Sequence, residues 1–302
     1  MIAPLVLSLL TSIGQLILLA LLAPFLTDLD RGASAVLGGE KAPPPGWRWR
    51  QIRAGWRQGG PLPPVAWLGF CLTLPVLSGL PLARANTLFG FLSEPALCGV
   101  MLIAAAAPCW IHALTGMPTR ALTRTLHDGL ARRGRTLLLL VPLLTLSGTL
   151  IAVGLPGAGT LTGLLQQRQL QPAPALMGGL VFIAAALILS LDGLFLDDRW
   201  HEVLIARTTG RHRSVLRIHH DLLRCGWTLM IADLLWPGSI AVGDTSTRHD
   251  LLLWSLVAPV KLAVVTGFVA LARLLRPLPP TRLALVLAGG AILLTLAGRI
   301  GV

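Results

Sequence analysis

The chain has 302 residues, 54% of them apolar, a mean hydropathy of +0.74 and a formal charge of +12. In a soluble chain that charge would point to nucleic acid, but here the basic residues lie between long apolar runs, where membrane topology and anionic lipid account for them, so nucleic-acid binding is excluded. The four cysteines, Cys71, Cys98, Cys109 and Cys225, sit in or beside apolar runs with no paired CxxC spacing, which excludes a disulfide framework or a thiolate metal site.

A helix that crosses a bilayer needs about 20 largely apolar residues. The first such run covers roughly 2 to 27 and is followed by Thr27, Asp28 and Leu29 rather than a small-residue cleavage site, so it reads as a permanent span. The connection at about 28 to 61 carries Arg31, Lys41, Arg48, Arg50, Arg53 and Arg57. Pro43 to Pro45 and Gly46 break it, and Trp47, Trp49 and Trp56 among the arginines predict a short amphipathic helix at the membrane surface. Runs at 62 to 82 and 87 to 114 follow, with Glu94 near the outer surface. The next connection, 115 to 135, holds five arginines and a single acid, Asp128.

Further apolar runs cover 136 to 156, 173 to 194, 224 to 242, 251 to 272 and 281 to 299, giving about eight spans. Between the fifth and sixth lies the connection at 195 to 223, acidic first (Asp197, Asp198, Glu202) and basic after (Arg207, Arg211, Arg213, Arg217). A last basic connection covers 273 to 281. Most of the 25 Lys and Arg residues fall in these four odd-numbered connections, whereas the other three carry only Arg84, Arg168 and Arg248. Basic loops stay on the cytoplasmic side, so both termini are expected on the outer, periplasmic face. The expected fold is therefore all-α and polytopic, one integral membrane domain over 1 to 302 with no internal repeat.

Chemistry is sought where ionisable groups interrupt the apolar runs, because each costs about 2.5 to 3.5 kcal/mol to insert even on lenient scales. Lys261 stands about ten residues from either end of its run, Asp233 within its own, and Asp192 near the cytoplasmic end of another. A lysine and one or two aspartates on neighbouring helices could pair, either to orient two helices or to move protons. The histidines His212, His219 and His220 lack the spacing of helical zinc motifs, and the surrounding arginines would repel a cation, so no metal is expected. That acidic-then-basic connection reads as a solvated or docking face. Hydrolase, P-loop and dinucleotide signatures are missing, and no catalytic residue is assigned.

Three stretches resemble a known family: LLAPFLTDLDRGASAVLGGEKAPPPGWRWRQIRAGWRQGG, LDGLFLDDRWHEVL with the following TTG, and LLLWSLVAPVKLAVVTGFVALARLLRPLPPTRLALVLAGGAILLTLAG. Together they resemble the eight-span subunit shared by respiratory complex I and the energy-converting [NiFe] hydrogenases, above all the membrane subunit of formate hydrogenlyase-type complexes, with Lys261 at the family's intramembrane lysine. The resemblance implies a bacterial inner-membrane anchor and coupling subunit. It would receive hydrogenase-like and iron–sulfur subunits on its cytoplasmic loops and lie beside antiporter-like membrane subunits. The chain would bind no cofactor of its own, quinone being the one candidate. Asp192, Asp197, Glu202, Asp233 and Lys261 are then the expected proton-path or ion-pair residues. The docking face would comprise Lys41, Arg48, Arg50, Arg53, Asp128, Arg207, Arg211, Arg213 and Arg217.

The chain departs from that family where Pro-Phe-Asp and several glutamates are usual: only Asp197 and Glu202 remain, and Arg207 stands where acid is expected. Two other readings stay open. A secondary transporter or permease would fit Pro108 and Pro259 within spans, although no half of the chain repeats the other. A scaffold paralogue would keep the partners and lose the proton or quinone role.

Overall fold

Apolar runs fold as helices at bilayer depth because only a helix satisfies every backbone N–H and C=O within the segment. In a computed structural model, residues 2–85, 87–114, 118–152, 160, 161, 163, 175–241, 247–274 and 280–300 are described, and among them every regular element is helical. Among the described residues, each of the eight apolar stretches contains a helix. Arg168, Arg276 and most of the connection at 273 to 281 lie outside the described residues.

α1 runs over Ile2–Leu37, ten residues past the expected end of the first span. α2 covers Trp47–Arg57, where the arginine- and tryptophan-rich segment predicts a helix. α3 (Pro64–Gly79) and α4 (Pro95–Leu114) pack side by side. α5 (Thr119–Ala152) absorbs most of the expected third connection into one long helix. α6 (Ala175–Ser190), the short α7 (Asp198–Ala206) and α8 (Gly210–Leu235) follow, so the expected loop at 195 to 223 is largely helical. α9 (Thr247–Leu252) continues through one π-turn, Leu253–Val257, into α10 (Ala258–Leu274), and α11 covers Pro280–Ile300. Two helical stretches, Val6–Leu37 and Arg248–Arg273, are long and apolar enough to cross a membrane, and shorter apolar helices cover Pro64–Gly79, Pro95–Ile111 and Arg282–Leu293.

α8 is the centre of the packing, touching α1, α2, α3, α4, α6, α7 and α10. From Ser214 to Leu234 it is buried almost throughout, charged residues included. Its start is fixed by glycine. Gly210 has φ +56°, and a Cβ there would run into the Gly59 carbonyl, which instead accepts the Arg211 N–H at 2.9 Å. Gly55 likewise leaves room for Ser214, whose hydroxyl donates to the Ile52 carbonyl at 2.7 Å. These close approaches seat α2 on the first turns of α8.

The expected second span, 62 to 82, ends early. Leu80 precedes Pro81 and is extended, a conformation that the following proline favours, so the chain leaves the helix after Gly79. Leu80, Leu82 and Ala83 are nonetheless fully buried. Gln15 of α1 serves the backbone exposed by this break: its Nε2 donates to the Leu77 and Leu80 carbonyls at 2.6 and 2.5 Å, and its Oε1 accepts the Leu82 N–H at 3.3 Å. The Ala85 N–H and Ala83 carbonyl pair with Ala241 at 3.0 and 2.8 Å.

Candidate functional site

Among the described residues, buried side chains of opposite charge pair in two places, joined by α8. The first is an arginine cluster built on the overrun of α1. Thr27, Asp28 and Asp30 extend that helix beyond its apolar run and are buried by α2, α8 and α10. Arg48, on the buried face of α2, is fully enclosed. Its Nε and Nη2 form a fork on the Asp221 carboxylate, both at 2.8 Å, and its Nη1 reaches Glu202 at 2.5 Å. A planar guanidinium on a carboxylate is the strongest pairing available to these groups, and it is the geometry that makes a buried arginine tolerable.

The cluster extends from there. Arg31 also donates to Glu202, at 2.7 Å, and Arg217 lies 3.8 Å away. The Arg48 backbone N–H donates to Asp28 at 2.9 Å, and the Thr27 hydroxyl stands 3.1 Å from Asp221. Asp30 takes Arg224 at 2.5 Å and is also bonded by Arg273, which reaches the Leu196 carbonyl as well. Burial alone would raise the Glu202 carboxyl, but Arg48 and Arg31 outweigh it and hold the group below its ordinary 4.5. α1, α2, α7, α8 and α10 are thereby tied at one level.

The second centre is Lys261 with Asp233. Both are fully buried, and the ammonium donates to Asp233 Oδ1 at 2.8 Å and to the Leu82 carbonyl at 2.9 Å. That carbonyl is available because α3 stops short. Asp233 Oδ2 is buried without a hydrogen-bond partner among the described residues. Asp233 lies twelve residues beyond Asp221 on α8, about 18 Å at 1.5 Å per residue.

The other expected site residues are placed apart from this pair. Asp192 is fully buried but meets no cation among the described residues: it accepts the Thr136 hydroxyl at 2.5 Å and the backbone N–H of Phe195 at 2.7 Å, which makes it a turn-forming carboxylate after α6. Asp197 pairs with Arg132 at 3.0 Å in a partly exposed bridge. Within the expected docking face, Lys41, Arg50, Arg53, Asp128, Arg207 and Arg211 are exposed. Arg213 is partly exposed and bonds the Thr208 and Ala206 carbonyls, and Arg217 turns toward Glu202. Arg48 is corrected: enclosed by Asp221 and Glu202, it offers nothing to a partner.

The solvated reading of the segment from Asp192 to Asp221 is also corrected for His219, His220 and Asp221, which are buried. His219 Nε2 lies 2.9 Å from the Thr73 hydroxyl, which itself donates to the Gly69 carbonyl at 2.8 Å; the imidazole is therefore the donor toward Thr73. Burial pushes His219 down from 6.5 to about 4, the Gly69 carbonyl acting in the other direction. His220 stacks on His201 with ring centroids 3.9 Å apart. These three rings, Cys109 and Trp110 line a small cavity of about 30 Å³ between α4, α7 and α8, whose remaining wall is aliphatic.

Asp28, Asp30, Arg224 and Arg273 carry the arginine cluster and were not singled out by sequence reasoning. The available signal was two aspartates, spaced i and i+2, at the end of an apolar helix, and an arginine at the first residue of the sixth span. No known protein family matches the chain, and no curated protein is significantly similar to it.

Proposed function

We propose that the chain is the membrane-anchor and coupling subunit of a complex-I-like or energy-converting-hydrogenase-like complex in the bacterial inner membrane. The observation that carries this reading is α8, one buried helix bearing Asp221 and Arg224 in the arginine cluster and Asp233 in the lysine pair. A rigid element shared by a surface-side charge lattice and a deep titratable pair is what coupling a docked module to ion movement requires.

In this reading eight spans place both termini outside, and the arginine cluster, with Lys41, Asp128, Arg207 and Arg211 around it, faces the cytoplasm. A peripheral module of hydrogenase-like and iron–sulfur subunits docks there, and antiporter-like subunits continue the ion path laterally. Lys261 and Asp233 exchange or reposition a proton. The small histidine-lined cavity would have to open before it could admit a quinone ring. Affinity capture from native membranes tests the reading: redox and antiporter-like subunits should copurify, and a stable solitary monomer in mild detergent would overturn it.

A permease is the second reading, favoured by the buried non-helical segment after α3, whose carbonyls lie beside Lys261 as in broken transporter helices. Solute flux through liposomes holding this chain alone would select it.

A further inference from the structure

α2 buries only one side. With 3.6 residues per turn, its buried residues Arg48, Ile52 and Gly55 cluster around one direction, and the exposed Arg50, Arg53 and Arg57 lie roughly 170° away. The three arginines form a stripe about 10 Å long. Trp49 and Trp56 share one flank between stripe and buried face, and Trp56 is 44% exposed. α2 contains no acid, and among the described residues no carboxylate pairs with the stripe; Arg50 meets only the Pro44 carbonyl, at 3.3 Å. Arg211, at the start of α8, adds its guanidinium 6.0 Å from the Trp56 ring.

From this placement we infer that the outer face of α2 is a binding site for anionic phospholipid headgroups. Paired tryptophans on one flank of a helix seek the headgroup level, which turns the arginines sideways, away from the helical core and into the plane of the lipid phosphates. Guanidinium groups fork onto phosphate oxygens as they do onto carboxylates. A protein interface would need an apolar centre, with charge at its rim. The stripe has charge at its centre and only Ala54 and Trp56 beside it, so lipid is the occupant the chemistry favours over an acidic protein surface. Arg50, Arg53 and Arg211 then leave the docking face, whereas Lys41, Arg207 and Asp128 stay in it.

The inference rests on the membrane-subunit reading, and the two fail differently. A chain that is soluble without detergent sinks that reading, whereas a detergent-dependent chain indifferent to lipid charge sinks only this one. The experiment titrates the purified full chain, with whatever subunits accompany it, with phosphatidylglycerol or phosphatidylcholine and reads retained lipid by native mass spectrometry. Phosphatidylglycerol should be retained preferentially, in a salt-sensitive manner. The triple substitution Arg50→Gln, Arg53→Gln, Arg57→Gln should lower its affinity roughly 100-fold, at about fivefold per arginine, with helical content and phosphatidylcholine retention unchanged. Equal retention of the two lipids, or equal phosphatidylglycerol affinity of the triple variant and the parent, would overturn the proposal. So would polyglutamate binding to the stripe in place of lipid.

Discussion

Arg48 spends three nitrogens on two carboxylates, Asp30 receives two further arginines, and the arginine cluster joins five helices. Lys261 and Asp233 share one hydrogen bond, the ammonium borrows a backbone carbonyl, and Asp233 Oδ2 has no partner among the described residues. Both centres are buried, and each leaves a carboxylate oxygen without a hydrogen-bond partner among the described residues, Asp28 Oδ2 in the cluster and Asp233 Oδ2 in the pair, but the cluster shares its charges among several partners whereas the pair has one of each sign. A lattice whose arginines and carboxylates are cross-shared resists change, because moving one member disturbs several others. A pair with a spare oxygen can take a proton or a water without dismantling its surroundings. The difference supports the proposed division of roles, holding for the cluster and switching for the pair.

The largest expected effect breaks the cluster. Arg48→Met strands the fully buried Asp221 and takes from Glu202 one of its arginines, and should cost about 5 kcal/mol, the upper end for losing one partner of a buried ion pair. Thermal unfolding in detergent measures it, with faster proteolysis within α2 as its local signature. Lys261→Met leaves one carboxylate without its cation and should cost about 3 kcal/mol, most of it regained in Lys261→Met/Asp233→Leu, because replacing both charges removes the stranded one. A double variant no better than the single would contradict the pairing.

Gly210→Ala follows at roughly 1–2 kcal/mol for a left-handed backbone, with added displacement of α2 where the new methyl meets the Gly59 carbonyl. Cross-linking between α2 and α8 should weaken in step with stability. Stability should also depend on pH. The unfolded chain protonates His219 near 6.5 and the folded chain only near 4, so stability falls as pH drops through that window. Glu202, held below 4.5 by its arginines, adds a further loss at lower pH. Unfolding temperatures measured from about pH 7 to about pH 4 should show the slope, and His219→Gln should flatten its upper part.

The lysine pair was half visible in the sequence, since an ionisable group inside an apolar run stands out against its neighbours. α2 was equally legible, from tryptophans and arginines alternating after a proline break. Other features were not, and the reason is physical. Arg48 finds Asp221 across 173 positions and Arg273 finds Asp30 across 243, so neither pairing leaves a local pattern. A charge run reads as a solvated face until the packing shows which of its members turn inward; that is why Arg48, His219 and Asp221 were expected outside. The early end of α3 hinged on Pro81, whose effect on Leu80 is local, but the partner that makes the break tolerable, Gln15, is 65 positions away.

Redox-driven ion uptake by inside-out membrane vesicles carrying the Lys261→Met/Asp233→Leu chain tests most directly whether the cluster holds while the pair switches. Captured partner subunits and electron transfer should stay near the parent level while ion uptake is lost. Unchanged uptake alongside unchanged assembly would contradict it.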